Sequence, residues 1–131
     1  DKRDGKWTEW YESGQKKSER NYKYDKLIDE TKYLYYENAE KKSEENYKDG
    51  KKNGKWIFWH ENGQIKSEEN YKDGKLDGKW TEWHENGQKK LEGNLKDGKK
   101  DGKFTSWYYN GQIEAERNYK DGECISGDCP D

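Results

Sequence analysis

Gly54-Lys55-Trp56-Ile57-Phe58-Trp59-His60-Glu61-Asn62-Gly63-Gln64-Ile65-Lys66-Ser67-Glu68-Glu69-Asn70-Tyr71 is the stretch that decides the fold. Two short runs flank Asn62-Gly63, and Asn and Gly both tolerate the positive φ of tight turns, so the pair predicts a β-hairpin. In the second run, alternation puts residues 65, 67, 69 and 71 on one face and Gln64, Lys66, Glu68 and Asn70 on the other. That is the pattern of a half-buried antiparallel strand. In the first run Trp56 and Trp59 lie three apart, so strict alternation sends their rings to opposite faces. Either both faces carry aromatic columns, or a bulge or strong local twist realigns the rings; realignment is the expectation.

Moving outward, Asn21, Asn46, Asn70, Asn94 and Asn118 recur at intervals of 25, 24, 24 and 24. Gly54, Gly78 and Gly102 keep the same spacing, as do Gly63, Gly87 and Gly111, with Gly14 in the matching place of the first unit. A period of this length marks stacked supersecondary units. The units span about 4–24, 25–49, 50–73, 74–97 and 98–122, and 123–131 is a short acidic tail holding two cysteines. Lys72-Asp73-Gly74-Lys75-Leu76-Asp77-Gly78 reads as a polar connection with two Asp-Gly turn formers. The expected fold is all-β: ten short strands in meander order, forming an elongated, single-layer, twisted antiparallel sheet of five hairpins. With strands about 4.8 Å apart, such a ribbon is about 45–50 Å long.

Composition says what can hold it together. Only 26% of the chain is hydrophobic and 43% is charged, a balance that taken alone points to disorder. Aromatic residues nevertheless reach 15%, with seven Trp and eleven Tyr, and disordered segments are poor in these. Each such ring buries about 150–250 Å², so stacked rings are the expected stabiliser, helped by Ile113, Leu91, Ala115, Leu95, Tyr22, Tyr47 and Tyr119 at matching positions of the second strands. The second unit departs from the rest: Asp29 to Ala39 lacks the glycines, and tyrosines replace the tryptophans. Ala39 at a left-handed turn position costs on the order of 1 kcal/mol unless Asn38 carries the strain or the turn type differs. Local distortion is expected there, with scope for a function the regular units lack.

Against 27 basic residues stand 29 acidic ones, interspersed, for a net charge of −2. Nucleic acid is therefore not an expected partner, and an anionic membrane is disfavoured on the same ground. No stretch approaches the ~20 apolar residues of a spanning helix, and Asp1-Lys2-Arg3-Asp4 is neither a signal peptide nor an initiator Met. The reading is that the chain is a fragment or has lost upstream residues. Cys124 and Cys129 leave three states open: a disulfide, which is favoured; free thiols; or a metal pair, which is disfavoured because no second Cys or His pair completes a zinc site. A disulfide places the protein outside a reducing cytosol.

The pattern Asp-Gly-Lys-x-x-Gly-Lys-Trp-x-x-Trp/Tyr-x-x-Asn-Gly-Gln, from Asp73 to Gln88 and again from Asp97 to Gln112, resembles the second variant of the MORN repeat. The resemblance covers about residues 4–122, with residues 24–39 as the departure. It implies an extended single-layer sheet of consecutive hairpins and a protein-interaction scaffold. Many bacterial members carry an antitoxin-like label, and others are exported or surface-associated.

No residue presents as catalytic, cofactor-binding or metal-ligating. His60 and His84 occupy the position of Tyr11, Tyr36 and Tyr108, so equivalence favours a ring in an aromatic column over a base or ligand. Asp73, Asp77, Asp97 and Asp101 lack the spacing of a calcium loop, and turn geometry accounts for them. The expected function is a non-enzymatic scaffold binding another protein along one face, or itself through edge strands, with Trp56, Trp59, Trp80, Trp83 and Trp107 as candidate anchors. The cysteine tail is placed to cap one end. A cytoplasmic antitoxin-like protein and a glycan-binding aromatic surface are the alternatives; the expected location is extracellular or in the cell envelope.

Overall fold

The computed structural model describes residues 2–131 and contains one open antiparallel sheet of 14 strands among the described residues. Five hairpins form its backbone: β1 (Gly5–Trp10) with β2 (Lys16–Lys23), β3 (Lys26–Tyr35) with β4 (Lys41–Lys48), β6 (Gly54–Trp59) with β7 (Ile65–Lys72), β9 (Gly78–Trp83) with β10 (Lys89–Lys96), and β12 (Gly102–Trp107) with β13 (Ile113–Lys120). Each hairpin also bonds to the next, in the order β1-β2-β3-β4-β6-β7-β9-β10-β12-β13-β14. The all-β, single-sheet hairpin architecture is the one read from the period.

Ten strands were expected, and four more are present. Three are two-residue arms, β5 (Lys51–Lys52), β8 (Lys75–Leu76) and β11 (Lys99–Lys100), which pair back onto β4, β7 and β10. The fourth is β14 (Glu123–Gly127), from the tail. The stretch after each second strand is thus not a plain connection. Asp49-Gly50, Asp73-Gly74, Asp97-Gly98 and Asp121-Gly122 all have positive φ at both residues, which makes them the two-residue turns whose twist matches paired strands. After each arm the chain bulges: between the pairs Tyr47↔Lys52 and Glu44↔Ile57, residues 53–56 oppose only residues 45 and 46. Asn46 fills that bulge, its Nδ2 donating to Lys55 O at 2.6 Å while its carbonyl accepts from Trp56 Nε1 at 2.7 Å. Asn70 repeats the first bond, to Lys79 O at 2.8 Å. Asn21 and Asn118 turn the same Nδ2 to Asp29 Oδ1 and Ser126 Oγ, so four of the five asparagines that mark the period bond to the strand that follows.

The Asn-Gly turn differs from the two-residue form expected. His60 N–H bonds Gln64 O at 2.8 Å and Gly63 N–H bonds His60 O at 3.0 Å, a three-residue loop in which Gly63 alone has positive φ. Asn62 acts through its side chain: Oδ1 accepts from Gln64 N–H at 3.0 Å.

The second unit is not distorted either. Strand β3 runs ten residues without a glycine and pairs with both neighbours along its length, with one extra residue on each side: its own Ile28 opposite β2, and Lys42 of β4 opposite Leu34 and Tyr35. Losing the bulge glycines straightens the strand and lengthens its pairing. At its turn the hydrogen bonds are those of the other units, Tyr36 N–H to Glu40 O at 2.8 Å and Ala39 N–H to Tyr36 O at 3.0 Å. Ala39 takes the strain itself, at φ 73°.

Candidate interaction surface

One face of the sheet is closed by its own side chains. Trp56 is 4% exposed although no second layer covers it. Its ring sits between Tyr47 (centroids 5.1 Å) and Tyr71 (5.3 Å), with Phe58 at 6.3 Å. Lys52 lies over Trp56 and Tyr71, its Nζ 4.5 and 5.0 Å from the ring centroids. Lys100 repeats this over Phe104 and Tyr119, and Arg3 lies 4.1 Å from the Tyr22 ring. Long cationic stems thus do the covering that a facing helix or sheet does elsewhere, while their charges stay in water. Leu76 stands where Lys52 and Lys100 lie in their units, the aromatic column is interrupted at Leu95, and at Gly93 Phe104 packs so closely that an added Cβ would lie 2.5 Å from its ring. Beside that glycine the Trp80 indole N–H is buried without an acceptor. In the fifth unit Phe104 holds the corresponding position and needs none.

The opposite face is wet and carries a second row of rings. The expected realignment of Trp56 and Trp59 does not occur. A register shift separates Phe58↔Ser67 from Trp59↔Ile65, but the extra residue is Lys66, on β7, so β6 keeps its alternation. Trp56 shares its face with Phe58, and Trp59 turns away to lie beneath Lys41, at 5.3 Å. Trp83 pairs with Lys89, which also reaches the Trp107 ring at 6.0 Å. Trp59, Trp83 and Trp107 are half-buried, and Trp10, at the same position of the first unit, is 60% exposed.

Beside these rings runs a line of carboxylates, one per unit, at Glu19, Glu44, Glu68, Glu92 and Glu116. Lysines three residues earlier neutralise three of them: Lys16–Glu19 at 3.0 Å, Lys41–Glu44 at 3.2 Å and Lys89–Glu92 at 2.7 Å. Glu19 is held down to about 2 by hydrogen bonds from Lys6, Tyr33 and Lys16. Units three and five carry Ile65 and Ile113 in place of the lysine. Glu68 accordingly makes no ion pair among the described residues, and Ile113 is 54% exposed.

Along the turn side, each unit clips onto the next. Tyr11 Oη donates to Tyr33 O (3.1 Å), Tyr36 Oη to Trp59 O (2.6 Å), His60 Nε2 to Trp83 O (3.0 Å) and His84 Nε2 to Trp107 O (2.9 Å). A carbonyl only accepts, so both histidines carry a proton on Nε2. A second clip runs parallel: Asn38, Asn62 and Asn86 donate Nδ2 to Glu61 O, Glu85 O and Tyr109 O at 3.1, 2.9 and 2.7 Å. These bonds give the histidines a structural role that the sequence placed only as column rings. Tyr108 has no following unit and is 52% exposed.

Among the predicted anchors, then, Trp56 belongs to the closed face, Trp80 lies beside Gly93 within the sheet, and Trp59, Trp83 and Trp107 line the wet face. Cys124 and Cys129 are joined by a disulfide. Among the described residues no group of three or more His, Cys, Asp or Glu is placed to hold a metal ion. A family model described as a MORN repeat variant matches residues 3–24, 52–73, 76–97 and 100–121. The chain belongs to this family. No curated protein matches it. The unmatched interval contains the glycine-free β3, so the MORN pattern is lost where the bulge glycines and the Asn-Gly turn are lost. As a MORN repeat protein the chain is a repeat scaffold.

Proposed function

We propose that the wet face binds another protein, with Trp59, Trp83 and Trp107 as anchors and the carboxylate line beside them selecting a partner with basic residues. The observation that carries this reading is the second, half-exposed row of rings on a sheet whose opposite face already closes itself. Flat aromatic side chains flanked by charged groups are what protein interfaces concentrate their energy on. The stretch around Ile65, Glu68 and Trp83 is the centre of the site: Ile65 stands where Lys41 and Lys89 cover Trp59 and Trp107 of the following units, so among the described residues no lysine lies over Trp83, and Glu68 is left free to pair. A location outside the cytosol, at the cell surface or in the envelope, fits a disulfide-bonded tail.

Lysines over Trp59 and Trp107 stand where a sugar ring would stack, which disfavours the glycan reading. The antitoxin reading draws support from the family label alone.

Photo-crosslinking tests the proposal. A photoreactive side chain at position 66 on the wet side should capture a discrete protein from the native source, one at position 52 should not, and Trp59→Ala with Trp83→Ala should abolish capture in a folded protein. Equal capture from both faces, or capture that survives the double substitution, would reject the assignment.

A further inference from the structure

The tail makes bonds that elsewhere in the chain belong to the next repeat. Asp121-Gly122-Glu123-Cys124 begins as an ordinary arm, with Cys124 opposite Tyr119 as Lys100 is opposite Leu95. Beyond Cys124 it departs. Inside the array Asn70 Nδ2 donates to Lys79 O of the following unit; at the end Asn118 Nδ2 meets Ser126 Oγ at 3.1 Å. Asp128 then closes the edge of β13. Its N–H donates to Glu116 O at 2.8 Å, its Oδ2 accepts from Glu116 N–H at 2.9 Å, and its carbonyl accepts from Arg117 Nε at 2.7 Å. The Glu116 N–H and carbonyl are backbone groups that an added strand would use. Gly127 makes the approach feasible, since at φ 87° an added Cβ would lie 2.3 Å from Glu116 O. The Cys124–Cys129 bond spans Ser126, Gly127 and Asp128 and so fixes the capping residues as a ring.

We infer that this tail is a redox-held cap, and that breaking the Cys124–Cys129 bond opens β13 to β1 of a second copy. The occupant is read from the sequence. Residues 4–10, Asp-Gly-Lys-Trp-Thr-Glu-Trp, are identical to residues 77–83, which carry β9. Strand β9 docks on β7 through Ser67↔Glu82 and Glu68↔Thr81. Strand β13 repeats β7 with Ala115 and Glu116 in those places, so β1 of a second copy can reproduce a contact the fold already makes, with Glu9 opposite Ala115 and Thr8 opposite Glu116. Docking would also cover Trp7 and Trp10, 51% and 60% exposed in the single chain. The chemistry needs a dithiol reductant: the Sγ–Sγ bond accepts two electrons and two protons to give two thiols, and the dithiol closes to its own disulfide. Both cysteines are partly exposed and within its reach. A head-to-tail contact of this kind does not close on itself, so it yields chains of copies and not a fixed dimer.

Hydrogen exchange read by mass spectrometry on the whole protein, oxidised and after dithiothreitol with alkylation, tests the cap; light scattering across concentration tests the occupant. Reduction should speed exchange in residues 113–120 by about tenfold or more and leave residues 65–72 unchanged, and the reduced protein should grow in mass with concentration unless Trp7→Glu is present. Gly127→Ala should free the same edge with the disulfide intact. Unchanged exchange of residues 113–120 in both the reduced protein and Cys124→Ser/Cys129→Ser overturns the cap. Faster exchange from a protein that remains a single chain at every concentration overturns the second copy as occupant.

Discussion

At the residue scale, strain and charge are concentrated in a few side chains. Ala39 alone among the turn positions at Gly14, Gly63, Gly87 and Gly111 holds φ 73° with a Cβ. A left-handed conformation costs an L-residue about 1–2 kcal/mol, and the extra freedom glycine brings to the unfolded chain returns about 0.4–1 kcal/mol of that. Ala39→Gly should therefore stabilise the protein by about 0.5–1 kcal/mol in a urea titration. Glu19 supplies the clearest pH effect. Its carboxyl is held below the usual range by Lys6, Tyr33 and Lys16, so the folded state binds its proton less tightly than the unfolded chain. The stability this contributes is full above about pH 5 and fades as pH falls toward 2. Glu19→Gln should be less stable than wild type at neutral pH and should flatten the decline between pH 5 and 2, measured by urea midpoints across that interval. The Arg3–Asp25 ion pair is half-exposed, so Asp25→Asn, which leaves Arg3 over the Tyr22 ring, should change stability little.

At the element scale, the hairpins were legible and their joints were not. Asn62-Gly63 and the alternation from Ser67 to Tyr71 announce the hairpin because both follow from backbone sterics and one buried face; Ile65, expected on the face of Ser67, lies instead on that of Trp59, because Lys66 is an extra residue between them. Arms such as Lys75–Leu76 escaped notice because two residues show no period, and Asp73-Gly74 in a polar stretch reads as loop when it is the tightest turn of the unit. The Trp56/Trp59 offset was visible, but which strand carries the extra residue depends on pairing between strands, which one strand's sequence does not encode. The clips were hidden for a similar reason: Tyr36, His60 and His84 share a position, and only the structure shows that each reaches a carbonyl one unit away. That shared bond makes a prediction. His60→Tyr keeps a donor at the same reach and should be nearly neutral, whereas His60→Phe leaves Trp83 O without its partner and should cost about 1 kcal/mol. Thermal unfolding of the two variants separates a donor from a merely aromatic filler.

At the scale of the whole molecule, stability is a sum of unit and neighbour terms, as in other linear arrays. A sheet with no second layer survives here because one face is covered by its own rings and by lysine stems, and because each unit is bonded to the next through backbone pairs, bulge asparagines and turn-side clips. The same construction frees the other face, and the candidate anchors divide accordingly. A Trp-x-x-Trp run does not say which ring faces in, so the sequence groups Trp56 with the others; Trp59, Trp83 and Trp107 are the ones the fold leaves half-buried on the wet face. All of this requires the units to be hydrogen-bonded to one another and not merely strung together. Nuclear Overhauser contacts between backbone protons across Ser67/Glu82, Glu68/Thr81, Leu91/Ser106 and Glu92/Thr105 test that requirement directly. One continuous sheet predicts a contact at every such junction, as strong as those within each hairpin. Contacts confined to the hairpins, with none between units, would contradict it.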